Sequence, residues 1–378
     1  MRRLVVLLIS ALLLFGVQAQ SFELDMEMPP KQKGDSAQQA PLKGNWMQQV
    51  IESGFHIHDP RINYPKFPKF CLKVYDWGND TFNSYDTTYV VGTGKNWKFY
   101  LNSYNWSQSY GYIFDLSKNE NVLIRSRMNA DFGFSLNFMA LSIGYMWNVN
   151  HWITGNNAPR KTFDLAFTCS RFSAELRTLK TSGNARIRRF GNYNDGHKIN
   201  IPLDDIHQQA LSVSAYYFFN YKRYSQAAAY TYSKYQLKSA GTWLAGFRYG
   251  HQKMDIDFSD VPDVVLHYLP NLPRKNHFNF SEYSLMGGYA YNWVLPHHWT
   301  INLTALPSVG YRHSRIENKN LLQEKVSINM TGRLSFTYNH RAFFLSGIGR
   351  ADGNFIFSKD YDFFNSNQSV SLLIGFRF

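Results

Sequence analysis

The last ten residues, 369–378, read Ser-Val-Ser-Leu-Leu-Ile-Gly-Phe-Arg-Phe. Val370, Leu372, Ile374, Phe376 and Phe378 fall on every second position, and Ser369, Ser371, Gly375 and Arg377 lie between them. Successive side chains of a strand point to opposite faces, so one face here is apolar and the other carries an arginine. Such a strand fits a barrel wall with lipid outside and a polar lumen inside. A soluble sandwich also alternates, but the strands of this chain run past ten residues, against an average of about 5–6.

The same period extends backward. In 325–337, Val326, Ile328, Met330, Leu334 and Phe336 alternate with Lys325, Ser327, Asn329, Thr331, Arg333, Ser335 and Thr337. The segments 281–293 and 300–311 repeat it, and similar runs occur at 97–107, 121–134, 138–147, 162–169, 171–180, 208–219, 224–235, 241–256 and 341–356. That makes thirteen, whereas a bacterial barrel has an even number. The expectation is an all-β fold, an up-and-down antiparallel transmembrane barrel of 12–14 strands over 95–378, with 181–206 the place for a missed strand. Both termini are expected on the periplasmic side, which puts the tight links at 295–298 and 338–340 inside and the longer ones at 257–280, 312–322 and 357–366 outside.

Composition agrees. Of 378 residues 17% are aromatic and 18% charged, against about 25% charged in soluble domains, and mean hydropathy is −0.37. These values exclude a bundle of membrane helices. The net charge of +13 would suit an anionic partner, but the start of the chain reads as an export signal, which disfavours nucleic acid. Arg2-Arg3 precede an apolar run, Leu4 to Phe15, and small residues follow to Ala19. Twelve residues at about 1.5 Å each cannot cross about 30 Å of hydrocarbon, so 1–19 reads as a signal peptide cut near Ala19. The expected destination is the bacterial outer membrane.

Residues 20–44 read as a disordered Pro/Gln/Lys-rich linker, and 45–94 as a helical periplasmic segment before the barrel. Asn45 can cap a helix over 46–53. Phe67, Phe70, Cys71, Val74, Tyr75 and Trp77 recur at helical spacing, which predicts a helix over about 66–77 whose apolar stripe docks on the barrel. Cys71 and Cys169 are too few for a disulfide scaffold or a zinc site. They are candidates for one bond, with two independent apolar thiols as the alternative.

Tyr85-Asp86-Thr87-Thr88-Tyr89-Val90, Phe163-Asp164-Leu165 with Arg171-Phe172, and Tyr217 to Ser225 followed by Gln236 to Gly241 and Trp243 to Gly246 form a recurring set. Over about 66–378 the chain resembles an uncharacterised family of Bacteroides-type outer-membrane proteins catalogued only as a domain of unknown function. The resemblance implies a barrel in the outer membrane and implies no activity.

Arg125, Arg127, Asp131, Glu175, Arg177, Arg248, Glu282, Arg333 and Arg377 alternate away from the apolar face and are expected to line the lumen, as a solute path or as salt bridges that fill it. Arg186, Arg188, Arg189, His197 and Lys198 make 181–200 basic enough for lipid phosphate or an anionic polymer. His56-x-His58-Asp59 has metal-ligand residue types without a third distant ligand, so no metal or cofactor is expected. His251, Asp255, Asp257, Ser259 and His267 are the residue types an outer-rim hydrolase would need. No catalytic residue is assigned. The leading expectation is a channel or a structural or transport component. An enzyme acting on lipid or envelope polymer is one alternative, and a barrel docking periplasmic partners is another. Membrane lipid is the expected partner, together with the barrel-assembly machinery, which reads a final strand ending in an aromatic such as Phe378.

Overall fold

The structure, a computed structural model, describes residues 42–53, 59–95, 97–115, 120–138, 141–150, 160–183, 185–270, 272–315, 322–357 and 361–378. It divides into two units, Met1–Leu72 and Lys73–Phe378. Most of the segments expected to be a leader and a linker, with His56 and His58, lie outside the described residues.

In the first unit, helix α1 (Trp46–Glu52) begins where the sequence places it. The Asn45 side chain accepts from Gln48 N, and Gln48 returns the bond to Asn45 N, a reciprocal cap. Helix α2 (Lys66–Phe82) starts in this unit and runs into the second. It continues beyond Trp77 because a single glycine, Gly78, costs a helix only about 1 kcal/mol. Phe67, Phe70 and Trp77 of the expected stripe are exposed.

The second unit is a closed antiparallel barrel. Its wall strands are β2 (Trp97–Asp115), β4 (Asn129–Phe138), β5 (Leu141–Asn148), β6 (Arg160–Thr168), β7 (Phe172–Ser182) and β10 (Ile206–Phe218). They continue with β12 (Ala240–Asp257), β13 (Lys275–Leu295), β14 (Trp299–Arg315), β15 (Leu322–His340), β16 (Phe343–Ile356) and β17 (Asp362–Arg377). Each pairs with the next, and β17 returns to β2, with Trp97 and Phe378 exchanging backbone hydrogen bonds at the seam. The wall therefore has twelve strands, an even number. Segment 224–235, read from the sequence as a strand, is not in the wall.

Five short strands lie outside the ring. β3 (Glu120–Ser126) pairs with the far half of β2, then with β8 (Ala185–Phe190), which pairs with β9 (Ile201–Leu203). So 181–206 adds no wall strand. β1 (Val90–Gly92) pairs with β11 (Lys234–Gln236) at the end that holds Trp97 and Phe378, called here the terminal end.

The alternation read from the sequence is realised on the wall. Val370, Leu372, Ile374, Phe376 and Phe378 are exposed on the outside, with Leu285, Leu303, Val309, Ile328 and Leu334. Ser369, Ser371 and Arg377 are buried on the inside. An exterior this apolar over so much of a closed wall is matched to hydrocarbon, not to water. Trp97, Trp243, Trp293 and Phe343 ring its terminal end, where an aromatic girdle belongs.

Candidate functional site

Described residues of the chain pack into the lumen at both ends. At the terminal end, the link between β10 and β12 turns inward. It carries helix α3 (Gln226–Tyr230), whose Gln226, Ala227, Ala228 and Ala229 are buried. Three successive alanines favour helix and let its backbone approach the wall closely. That is why an apparently strand-like stretch folds as a plug.

Polar wall residues hold it. Asn292 Nδ2 donates to Ser225 O at 2.9 Å, and Asn302 Nδ2 donates to the Tyr224 hydroxyl at 3.0 Å. The Tyr230 hydroxyl donates to Asn302 Oδ1 at 2.6 Å, and Gln226 donates to the Tyr216 hydroxyl. Lys98 Nζ donates to Thr231 O at 2.6 Å, and Arg377 Nε to Tyr232 O at 2.7 Å. The Tyr232 ring stacks on Phe344 at 4.5 Å. The preceding chain packs on the same plug: Lys234 Nζ donates to Asn83 Oδ1 at 2.9 Å, and burial holds this amine below its ordinary range.

The opposite end is sealed by hydrophobic packing. Tyr110 and Tyr112 of β2, Met254 and Ile256 of β12, Ile356 and Phe363 meet Val122, Ile124, Ile187 and Phe190 of β3 and β8. The link between β12 and β13, which includes helix α4 (Asp263–Leu266), adds Phe258, Val261, Val265, Leu269 and Leu272. Tyr112 contacts the rings of Phe258, Phe278, Tyr361 and Phe363.

Between the seals lies a charged chamber with a cavity of about 160 Å³, lined in part by Arg177, Arg248, Arg312, Arg333 and Arg350. Arg333 grips Glu175 with both terminal nitrogens at 2.8 Å, and the Tyr216 hydroxyl donates to the same carboxylate at 3.1 Å. Arg350 Nη1 lies 3.8 Å from Glu175, and its Nε donates to Asp352 at 2.6 Å. Arg312 bonds Glu282 at 2.7 Å, and that carboxylate also accepts from Ser284 and Asn329. Arg177 pairs with Asp164 at 2.6 Å. Arg248 donates to Ser212 at 3.1 Å, and no carboxylate among the described residues forms a salt bridge with it. Among the described residues named here, five guanidinium groups thus meet four carboxylates.

Asp131, Glu175, Arg177, Arg248, Glu282, Arg333 and Arg377 point inward. Asp131 accepts from Asn148 on the β4–β5 side, and Arg377 serves the plug and not the chamber. Arg125 and Arg127 correct the expectation. Both are exposed, because β3 leaves the wall, turns Val122 and Ile124 into the seal and puts Arg125 on the opposite face. Sequence reasoning missed Arg312, Arg350 and Asp352, although each shares a face with residues it did name.

Cys169 is a buried free thiol, so it forms no bond to Cys71. Its sulfur accepts from Phe172 N and donates to Phe172 O within the turn after β6. Burial pushes the thiol up from its ordinary pKa.

The rim holds histidines and carboxylates, but they do not form an enclosed site. His277 contacts Asp255, Asp257 pairs with Lys275, and His251 bonds Ser281. Ser182 Oγ lies 2.6 Å from His207 Nδ1, and His207 Nε2 lies 3.6 Å from Asp205. The His207 and Asp205 side chains are more than half exposed, so a nucleophile there would face bulk water. No three His, Cys, Asp or Glu residues among those described are placed to hold a metal.

Solved structures with a similar course include the outer membrane protease OmpT from Escherichia coli, at 7% identity and TM-score 0.33, covering 76% of this chain and 98% of that one. Neisserial surface protein A matches at 8% identity and TM-score 0.22, covering 74% and 97%. The TodX monoaromatic hydrocarbon channel, as its deltaS2 mutant, matches at 6% identity and TM-score 0.27, covering 75% and 91%. At these scores the likenesses say nothing about activity. No curated protein matches the chain. The profile described as "Domain of unknown function (DUF4421)" matches residues 84–378, which take in the whole barrel and the chain that packs on its plug, and the protein belongs to that family.

Proposed function

We propose that this chain is an outer-membrane barrel of the structural or transport class whose resting state is sealed. Its terminal end faces the periplasm and its chamber is enclosed. The observation that carries this reading is the plug. Residues 226–229 are buried inside the barrel mouth, and the flanking Ser225 and Tyr230 are tied to Asn292 and Asn302 of the wall. The salt bridges of the chamber then serve as filling that fixes the wall's shape. Passage of a solute would require 219–239 to leave the lumen.

Planar-bilayer recording of the refolded full chain tests this. The expected trace has no steady open level. Ser212→Cys in a Cys71→Ser/Cys169→Ser background should resist bulky maleimides from either side. A steady open current from the native sequence, or rapid labelling at position 212, would overturn the sealed state. Heat-modifiable electrophoretic mobility of the same samples checks separately that the barrel has formed.

A further inference from the structure

The exterior carries a basic row that the sealed lumen does not explain. Lys161 lies directly opposite Lys180, Lys180 opposite Gln209, Gln209 opposite Lys253, and Lys253 opposite Asn279. Residues in register share a face, and this one is the outer face. Phe163, two residues from Lys161, is exposed outside, as are Val213 of β10, Phe247 of β12 and Leu285 of β13. Lys161, Lys180, Gln209 and Lys253 are themselves exposed.

The row follows the outer rim. Lys161 is the second residue of β6, Lys180 the third from the end of β7, and Lys253 the fifth from the end of β12. On β12, Lys253 stands ten residues (253 − 243) beyond Trp243 of the terminal girdle, on the same face. Ten residues at about 3.4 Å, tilted by about 40°, rise about 26 Å, close to the ~25 Å apolar band of such barrels. Lys253 therefore emerges where hydrocarbon gives way to headgroups.

Two further observations point to a ligand. Like charges directly opposite across strands repel, yet Lys161 faces Lys180, and no described carboxylate forms a salt bridge with either or with Lys253. The nearby Asp255 is engaged by His277. A groove of about 830 Å³ also opens along the row, lined by Lys161, Lys180 and Lys253 together with Tyr145, Phe163 and Leu211. Cations beside apolar side chains match an amphiphile that joins a phosphate head to acyl chains.

We infer that the Lys161–Lys180–Lys253 row binds the phosphates of a phosphorylated outer-leaflet lipid, whose acyl chains lie on the adjacent wall. The inference rests on the membrane orientation proposed above. The test uses the full-length protein in detergent. Diphosphoryl lipid A, its dephosphorylated form and inorganic phosphate are titrated, and bound lipid is counted by native mass spectrometry. At about 1 kcal/mol per basic residue and 1.4 kcal/mol per tenfold, Lys161→Gln/Lys180→Gln/Lys253→Gln should weaken diphosphoryl lipid A about a hundredfold. The Lys→Arg triple should retain binding, and Lys95→Gln/Lys222→Gln, near the terminal end, should leave it unchanged. Equal binding of the dephosphorylated lipid, or wild-type affinity in the Gln triple, would overturn the inference. So would displacement of the lipid by inorganic phosphate at equal concentration, which would mark a small-anion site. Heat-modifiable mobility is read on every sample. Its absence in the wild type would strike at the barrel reading and take this inference with it. Intact mobility without phosphate selectivity would overturn the lipid site alone.

Discussion

Replacing Glu175 by Gln removes one charge from the centre of the chamber and very little volume. In the native wall that carboxylate takes two hydrogen bonds from Arg333 and one from Tyr216, and it lies near Arg350. The Arg333 and Glu175 side chains are only 10% and 21% exposed, so an amide in place of the carboxylate leaves a guanidinium group nearly buried without its counter-charge. Breaking one partner of a buried pair costs about 3–5 kcal/mol. The adjoining cavity admits some water, which puts the expected loss near the lower figure, about 3 kcal/mol. Reversible urea unfolding in lipid vesicles, followed by tryptophan fluorescence, measures it. With a slope of about 3 kcal/mol per molar, the midpoint should fall by about 1 M. Glu175→Gln/Arg333→Met should recover about half of the summed single losses, because both charges leave together. A midpoint within about 0.2 M of wild type and no coupling between the two sites would refute the claim that this pair fills a low-dielectric interior.

Ile374→Arg on the outer face should cost about 2–4 kcal/mol in the same assay, and Ser371→Arg on the inner face much less; equal costs would defeat the assignment of faces. Gly375→Ala should lose about 1–3 kcal/mol, because an added Cβ would stand 2.5 Å from Phe344 and 2.6 Å from the Phe99 carbonyl oxygen; unchanged stability would show that the wall yields there. Ile187→Ala in the far seal should cost about 2–5 kcal/mol, and a surface-like loss below about 0.5 kcal/mol would mean the seal is not packed. Cys169 should react slowly with iodoacetamide in the folded protein and readily after denaturation. Burial raises its pKa, so thiolate is scarce at neutral pH and reactivity should climb only above the ordinary thiol range.

The wall was legible in the sequence because its physics is local. A period of two with lipid on one side leaves a mark in every strand, and 369–378 shows it in ten residues. The plug was not legible. Tyr224, Tyr230 and Tyr232 alternate as strand residues do, and only the three alanines between them hint at helix; what decides the outcome is Asn292 and Asn302, far along the chain. The far seal was hidden for a similar reason. Val122 and Ile124 alternate with Leu123 and Arg125 as a wall strand would, and pairing with β8 in place of a wall neighbour reverses which face meets solvent. The inward carboxylates and arginines could be named individually from parity. Their partners could not, because Glu175 and Arg333 are separated by 158 positions and meet across the lumen.

The plug also has a bearing on how the ring closes. Lys98 of the first wall strand and Arg377 of the last are directly opposite each other in the closing pair, two like charges that would repel on a bare seam. Each instead finds a backbone oxygen on the plug, Thr231 for the lysine and Tyr232 for the arginine. Adjacent carbonyls of one inserted segment thus act as a ruler for the two strands that close the ring. A slip of two residues would keep every side chain on its proper face but move one cation about 7 Å from its acceptor. Alternation alone cannot reject that error, and the seated plug can. In this fold the closure of the lumen and the choice of register at the seam depend on the same twenty-one residues, 219–239.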